Sequence, residues 1–312
     1  MPPSAPMPGG NDPGHGGPHS PALVGWFARV GRPLPWRCPA RPGPGPHGWG
    51  VLVSEFMLQQ TPVDRVIPAW TAWLERWPQP ADLAADSPAE AIRAWGRLGY
   101  PRRAKRLHES AVVIVDRHGG LVPDQHDQLL ALPGVGDYTA GAVRAFAYGH
   151  AALALDTNVR RVLARHDLGV PDATGSVSVA ERRRAAELMP SDPADGSAWM
   201  AAVMELGALV CTSRAPRCEA CPVSSDCAWL ARGRPDGMAK RRQPAYDGSD
   251  RQARGALLAV LRESKAPVSQ GALDLAWPDA TQRARALDGL VADGLVVPAP
   301  HNRWSLPDQR IG

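Results

Sequence analysis

From Pro21 to about Leu230, apolar residues recur every three or four positions, and no sustained apolar–polar alternation of period two sets in. Spacing of three and four places side chains on one face of a helix, so this stretch predicts a succession of helices without a sheet. The pattern lapses on either side of it. Residues 1–20 are dominated by Pro, Gly and His. With so little apolar surface to bury, they cannot offset the entropy of ordering, and they are expected to be a disordered tail. Residues 231–250 carry Gly, Pro and basic residues without periodicity and read as a linker. Helical spacing then returns over 251–264, 269–277 and 280–293, while 295–297 and 303–306 flank a Pro-rich turn and suit two short strands. Three helices followed by a hairpin predict a small winged-helix-like module over residues 251–312.

With 312 residues, 44% of them hydrophobic, the chain can bury a sizeable core and is expected to hold two or three domains. The longest apolar run, Ala140 to Ala154, is interrupted by Arg144 and His150 and falls short of the ~20 residues a bilayer span needs, so a soluble protein without a membrane partner is expected. A net charge of +4 permits a nucleic-acid partner without requiring one. Basic residues gather at Arg97, Arg102, Arg103, Lys105 and Arg106, and again at Arg232, Arg234, Lys240, Arg241 and Arg242. Each run suits a solvated face as well as a phosphate site.

Four of the five cysteines fall in Cys211-x6-Cys218-x2-Cys221-x5-Cys227. Thiolates this close ask for a soft metal, and both zinc and an iron–sulfur cluster take about four such ligands. Only Cys218 and Cys221 have the knuckle spacing usual for structural zinc, so the spacing favours iron–sulfur and leaves zinc open. A disulfide framework is disfavoured: the chain can build its own core, has no secretory signal, and would leave Cys38 over. The cluster of cysteines points to a reducing cytosol.

Leu132-Pro133-Gly134-Val135-Gly136 precedes a helical run starting near Tyr138. Glycines let a backbone turn tightly and approach an anion, and the following helix adds its positive N-terminal end, which is the form of a helix-hairpin-helix phosphate clamp. Asp156, in Leu155-Asp156-Thr157-Asn158, interrupts an apolar segment just before another helix. It can cap that helix and also face a reacting group. Glu55 is a lone acid in the apolar run Val51 to Leu58. Burial there would raise its pKa toward that of a general acid working near neutrality, although a structural glutamate fits equally well. Trp36, in Leu34-Pro35-Trp36-Arg37, is either a core residue or a platform for a base.

Several motifs in order resemble those of the MutY-type adenine DNA glycosylases, in the iron–sulfur branch of the helix-hairpin-helix glycosylase superfamily. They are LPWR at 34–37, SEFMLQQT at 54–61, WGRLGY at 95–100, LPGVGDYTAG at 132–141, LDTNVRRVLAR at 155–165 and MELGALVCT at 204–212, followed by the cysteines. The resemblance implies an all-α, two-lobed core. One lobe is expected to combine 21–48 with 150–230 around a loop holding one 4Fe-4S cluster on Cys211, Cys218, Cys221 and Cys227. The other, 49–149, is expected to be a helical barrel carrying the hairpin.

It further implies hydrolysis of the N-glycosidic bond of adenine mispaired with 8-oxoguanine or G in double-stranded DNA, by a monomer in the cytoplasm that associates with the nucleoid when acting on DNA. Glu55 matches the family's general acid, Asp156 the carboxylate that stabilises the sugar cation, Tyr138 and Asn158 its supports. Arg32, Leu34, Trp36, Arg37 and Glu205 match the adenine pocket, Gln60 and Tyr100 the wedge into the base stack, and Gly134, Val135 and Gly136 the DNA phosphate clamp. The related endonuclease III has a lysine where Tyr138 stands, so a monofunctional enzyme is expected. The alternatives are an endonuclease III-like lyase and a non-catalytic iron–sulfur DNA-binding protein.

Departures from the family pattern are Asp137, where a basic residue is common, and Pro101, where a second Tyr is common. The C-terminal segment is too short and too helical for the Nudix-like domain typical of the family. Its Arg251, Arg254, Arg283, Arg285 and Arg303 prompt the expectation that this module adds non-specific DNA affinity.

Overall fold

The structure is a computed structural model that describes residues 21–37, 46–237 and 246–307. The predicted tail, Cys38 and the basic residues Lys240 to Arg242 lie outside the described residues. Fifteen α-helices are formed among those described: α1 (Pro21–Val30), α2 (Pro46–Leu58), α3 (Val63–Arg76), α4 (Pro80–Ala85), α5 (Pro88–Trp95), α6 (Arg102–His118), α7 (His126–Leu130), α8 (Asp137–Tyr148), α9 (Thr157–His166), α10 (Val179–Leu188), α11 (Pro193–Leu209), α12 (Ala228–Ala231), α13 (Asp250–Glu263), α14 (Gln270–Ala276) and α15 (Ala280–Ala292). Their starts follow from the sequence. Ser87, Asp156, Ser178, Asp192, Ser249, Ser269 and Asp279 each accept a backbone N–H of the first turn, satisfying donors that the helix itself leaves over.

The chain divides into two compact units, Met1–Arg32 with Gly149–Met238, and Pro33–Tyr148 with Ala239–Gly312. In the first, α11 lies between α1 and α9, and α9 also meets α12. In the second, α2 is apolar around most of its circumference and is surrounded by α3, α6 and α8. A tryptophan cluster fills the space beside it, with Trp73 edge-on to both Trp77 and Trp95 at ring separations of 4.6 and 5.6 Å.

The C-terminal segment forms the three expected helices and a small antiparallel sheet of β1 (Val268–Ser269), β2 (Val297–Ala299) and β3 (Arg303–Ser305), ordered β1-β3-β2. Trp304 pairs with Val268 on one side and Pro298 on the other. The two-residue β1 was not legible from alternation, because two residues cannot show a period. Grouping by contact differs from the partition expected from the sequence. Pro33–Arg37 belongs with the barrel, and the module's Leu257, Leu261, Leu290 and Leu306 share one continuous core with Leu52, Ile92 and Leu107. Arg262 donates to Ile92 O at 2.9 Å and Arg93 to Ser264 O at 2.8 Å, sewing α13 to α5.

The module's arginines are largely spent within it. Arg254 pairs with Asp293, Arg283 with Asp274 and Arg285 with Asp250, while Arg251 lies over the Tyr246 ring. Arg303 stays exposed. The charge that prompted a DNA-binding role for this module is therefore mostly neutralised.

Candidate active site and cysteine centre

In the barrel unit, Glu55 lies in the third turn of α2 with only 3% of its surface exposed, between the fully buried Ser54 and Phe56. The helix ends at a turn in which Gln60 is exposed and has φ 58°. Tyr100, also exposed, has φ 46° and closes the loop between α5 and α6. Trp36 is buried, 5.9 Å from Trp70 in an edge-on contact; Leu34 is also buried and Arg37 is half-buried.

The hairpin follows α7. Val135 N–H donates to Leu132 O at 3.1 Å, and Ala140 N–H to Gly136 O at 2.9 Å, so the turn passes directly into α8 with Tyr138 half-buried in its first turn. The two glycines differ in what they answer to. At Gly134, φ is +83° and a Cβ would lie 2.8 Å from Arg106 Cβ and 3.0 Å from Phe56 Cε1, so the fold itself requires glycine there. At Gly136 φ is ordinary and a Cβ would meet nothing within 4 Å. Asp137, beside it, pairs with His126 at 3.3 Å.

In the other unit, Asp156 caps α9. Its Oδ1 accepts the N–H groups of Asn158 and Val159 at 2.9 and 2.7 Å, and its Oδ2 accepts from Asn158 Nδ2 at 2.8 Å. Burial pushes its carboxyl pKa up, and these donors with the nearby Arg161 charge oppose that shift only in part. Arg161 in turn donates to Asn158 Oδ1 at 2.8 Å, Gly207 O at 2.7 Å and Cys211 O at 2.7 Å. Glu205 on α11 is fully buried and grips Arg32 through two parallel bonds of 2.8 Å, with Arg32 N–H as a third donor at 2.9 Å. This bidentate contact holds the Arg32 guanidinium strongly protonated.

Cys211 follows α11, Cys218 opens a short 3₁₀ turn that ends before Cys221, and Cys227 caps α12. All four line one cavity of about 30 Å³, walled also by Val210, Trp229 and Leu230. Four thiols around a shared space are a donor set that either one zinc ion or an iron–sulfur cluster takes. Burial and the neighbouring thiols push Cys221 up to about 11, so a cationic group is needed to hold it as thiolate. Arg165, buried beneath, donates to Cys211 Sγ at 3.4 Å and to Thr212 O at 2.8 Å while lying 4.4 Å over the Trp229 ring.

Sequence reasoning missed Arg161 and Arg165. Both lie in the motif at 155–165 without a role assigned to them, and only their positions on the apolar face of α9 could have signalled burial. Arg103, grouped by its sequence with a basic run suited to a solvated face or a phosphate site, is instead buried against the turns carrying Gln60 and Tyr100.

Residues 53–185 match the HhH-GPD superfamily of base excision DNA repair proteins. The fold is shared with a thermostable thymine-DNA glycosylase, at a TM-score of 0.59 and 26% identity over 68% of this chain and 94% of that one. Within that superfamily, the chain is 51% identical over 285 residues to the adenine DNA glycosylase of Mycolicibacterium smegmatis, covering 91% of this chain and 94% of the relative. It is 50% identical over 292 residues to the adenine DNA glycosylase of Mycobacterium tuberculosis, covering 92% and 93%. The chain belongs to the adenine DNA glycosylase family of base excision repair. No helix among the described residues is long and apolar enough to cross a membrane.

Proposed function

We propose that this protein binds duplex DNA as a monomer and hydrolyses the N-glycosidic bond of adenine mispaired with 8-oxoguanine or G, leaving an abasic site. The observation that carries the reading is the Asp156 carboxylate, fixed by three N–H donors in a partly buried position. Adenine leaves deoxyribose poorly unless protonated, and it must first be flipped from the stack. Glu55, buried in α2, donates the proton to the ring. As the bond breaks, positive charge grows on the sugar, and Asp156, ionised and unable to rotate, stabilises that charge more than it stabilises the neutral substrate. By analogy with paired carboxylates in glycoside hydrolysis, Asp156 can also close transiently on the sugar before water attacks.

Asn158 orients Asp156 directly; by family correspondence alone Tyr138 is assigned to the support of the aspartate, Arg32, Leu34, Trp36, Arg37 and Glu205 to recognition of adenine, and Gln60 and Tyr100 to the wedge. The open space at Gly136 lets the turn from Gly134 through Val135 to Gly136 approach a DNA phosphate with its glycine N–H groups, while the Val135 N–H holds the turn closed on Leu132 O. Cys211, Cys218, Cys221 and Cys227 hold one 4Fe-4S cluster, which supplies a covalent cross-link for their loop and the positive charge its thiolates need.

Tyr138 offers no amine, so no Schiff base forms at that position. Borohydride trapping tests this: strong covalent capture of substrate DNA would favour the lyase reading, and its absence alongside adenine release supports the monofunctional one.

A further inference from the structure

Gln60 and Tyr100 both place a side-chain-bearing residue in the left-handed backbone region, at φ 58° and 46°. Elsewhere among the described residues, a non-glycine residue does so only at Arg234 and in the module's hairpin at His301 and Asn302. Such a conformation persists where the surroundings impose it. Here one guanidinium imposes it on both turns. Arg103, 7% exposed, donates from Nη1 to Phe56 O and Met57 O at 2.7 and 2.9 Å, fixing the last turn of the Glu55 helix. From Nη2 it donates to Thr61 Oγ1 at 2.9 Å and Gly99 O at 3.0 Å. Its own N–H donates to Tyr100 O at 3.0 Å, and its guanidinium lies 5.6 Å from the Tyr100 ring centroid.

Every acceptor of Arg103 is a carbonyl or a hydroxyl, and none is a carboxylate among the described residues. Burial without a counter-charge brings its pKa down to about 10, a costly arrangement for simple packing. The fork geometry explains the choice: a planar group with five donors can reach two turns and a helix end at once, whereas a lysine cannot.

We propose that Arg103 is a positioning residue for base extrusion, clamping the Gln60 and Tyr100 turns to each other so that both exposed side chains enter the base stack as one rigid pair. This rests on the reading of Gln60 and Tyr100 as the wedge.

The test is the rate of extrusion of 2-aminopurine placed at the target position, read by its fluorescence, in a double-mutant cycle. Arg103→Lys should keep its circular dichroism and its affinity for a duplex carrying a tetrahydrofuran abasic analogue to within about threefold, while extrusion slows roughly tenfold or more. In the Gln60→Ala/Tyr100→Ala background, Arg103→Lys should add no further loss, because it acts through those residues. Thr61→Val, which removes the hydroxyl under the guanidinium, should give a smaller loss of the same kind and serves if Arg103→Lys does not fold. Unchanged extrusion in a folded Arg103 or Thr61 variant, or losses that add to those of the wedge variant, would overturn the proposal while the wedge stands. Unchanged extrusion in Gln60→Ala/Tyr100→Ala would instead overturn the wedge reading and this proposal with it.

Discussion

Asn158 holds Asp156 from two directions, its backbone N–H on Oδ1 at 2.9 Å and its side-chain amide on Oδ2 at 2.8 Å. The amide is itself held through its oxygen by Arg161, whose guanidinium also reaches the carbonyl of Cys211. A continuous polar path thus ties the candidate reacting carboxylate to the first cysteine of the four-cysteine loop.

Asn158→Ala is predicted to lower single-turnover adenine release on the order of 10- to 100-fold, by freeing a carboxylate whose alignment supplies transition-state stabilisation. It also removes a donor to the ionised form, so the pKa of Asp156, already above the ordinary aspartate range, rises further. Activity needs Asp156 ionised and falls as pH drops through that pKa. The acid limb of the pH–rate profile should therefore move to higher pH in the variant; a profile that keeps its position would contradict the assignment.

Asp156→Asn should abolish most activity, on the order of 100- to 1000-fold, yet raise thermal stability at neutral pH. The sign follows from linkage. A folded-state pKa above the unfolded value means that the folded protein binds the proton more tightly, so stability falls as pH rises through the window between the two values and stays lowered above it. Asparagine removes that penalty and still caps α9. Melting curves from acid to neutral pH check it: the gap between variant and wild type should widen as pH rises.

The glycine pair separates fold from function. Gly134→Ala should cost about 1–3 kcal/mol or more, because it forces a left-handed residue into contact with Arg106 and Phe56. Gly136→Ala should leave the melting temperature unchanged and weaken DNA binding, since nothing in the chain occupies the space its methyl would take. If thermal melts and salt-dependent DNA titrations showed both variants equally destabilised, or Gly136→Ala binding DNA normally, the phosphate-clamp reading would fail.

Much of this was legible in the sequence. Helix periodicity gave the all-α core, Asp156 announced itself as a polar break before a helix, and cysteine spacing marked the four thiols that line one cavity. The unread part is long-range. Arg103 and Arg161 look like any helix arginine until the carbonyls of distant turns surround them, and no local pattern records that. Likewise, the module's attachment to α5 depends on Arg262 and Arg93 meeting carbonyls about 170 residues away, a pairing that periodicity cannot encode.

Metal analysis should find about four irons per chain with acid-labile sulfide, and Cys221→Ser should lose them and destabilise the loop between α11 and α12. One tightly bound zinc in place of iron would reverse the choice of metal.

The most direct test is adenine release from duplexes carrying a single adenine opposite 8-oxoguanine, G, C or T, by cluster-loaded wild type and Glu55→Gln. Release opposite 8-oxoguanine and G, weak opposite C and T, and lost in Glu55→Gln while DNA binding persists, is the predicted result. Absence of release from every duplex, or full activity in Glu55→Gln, would contradict it.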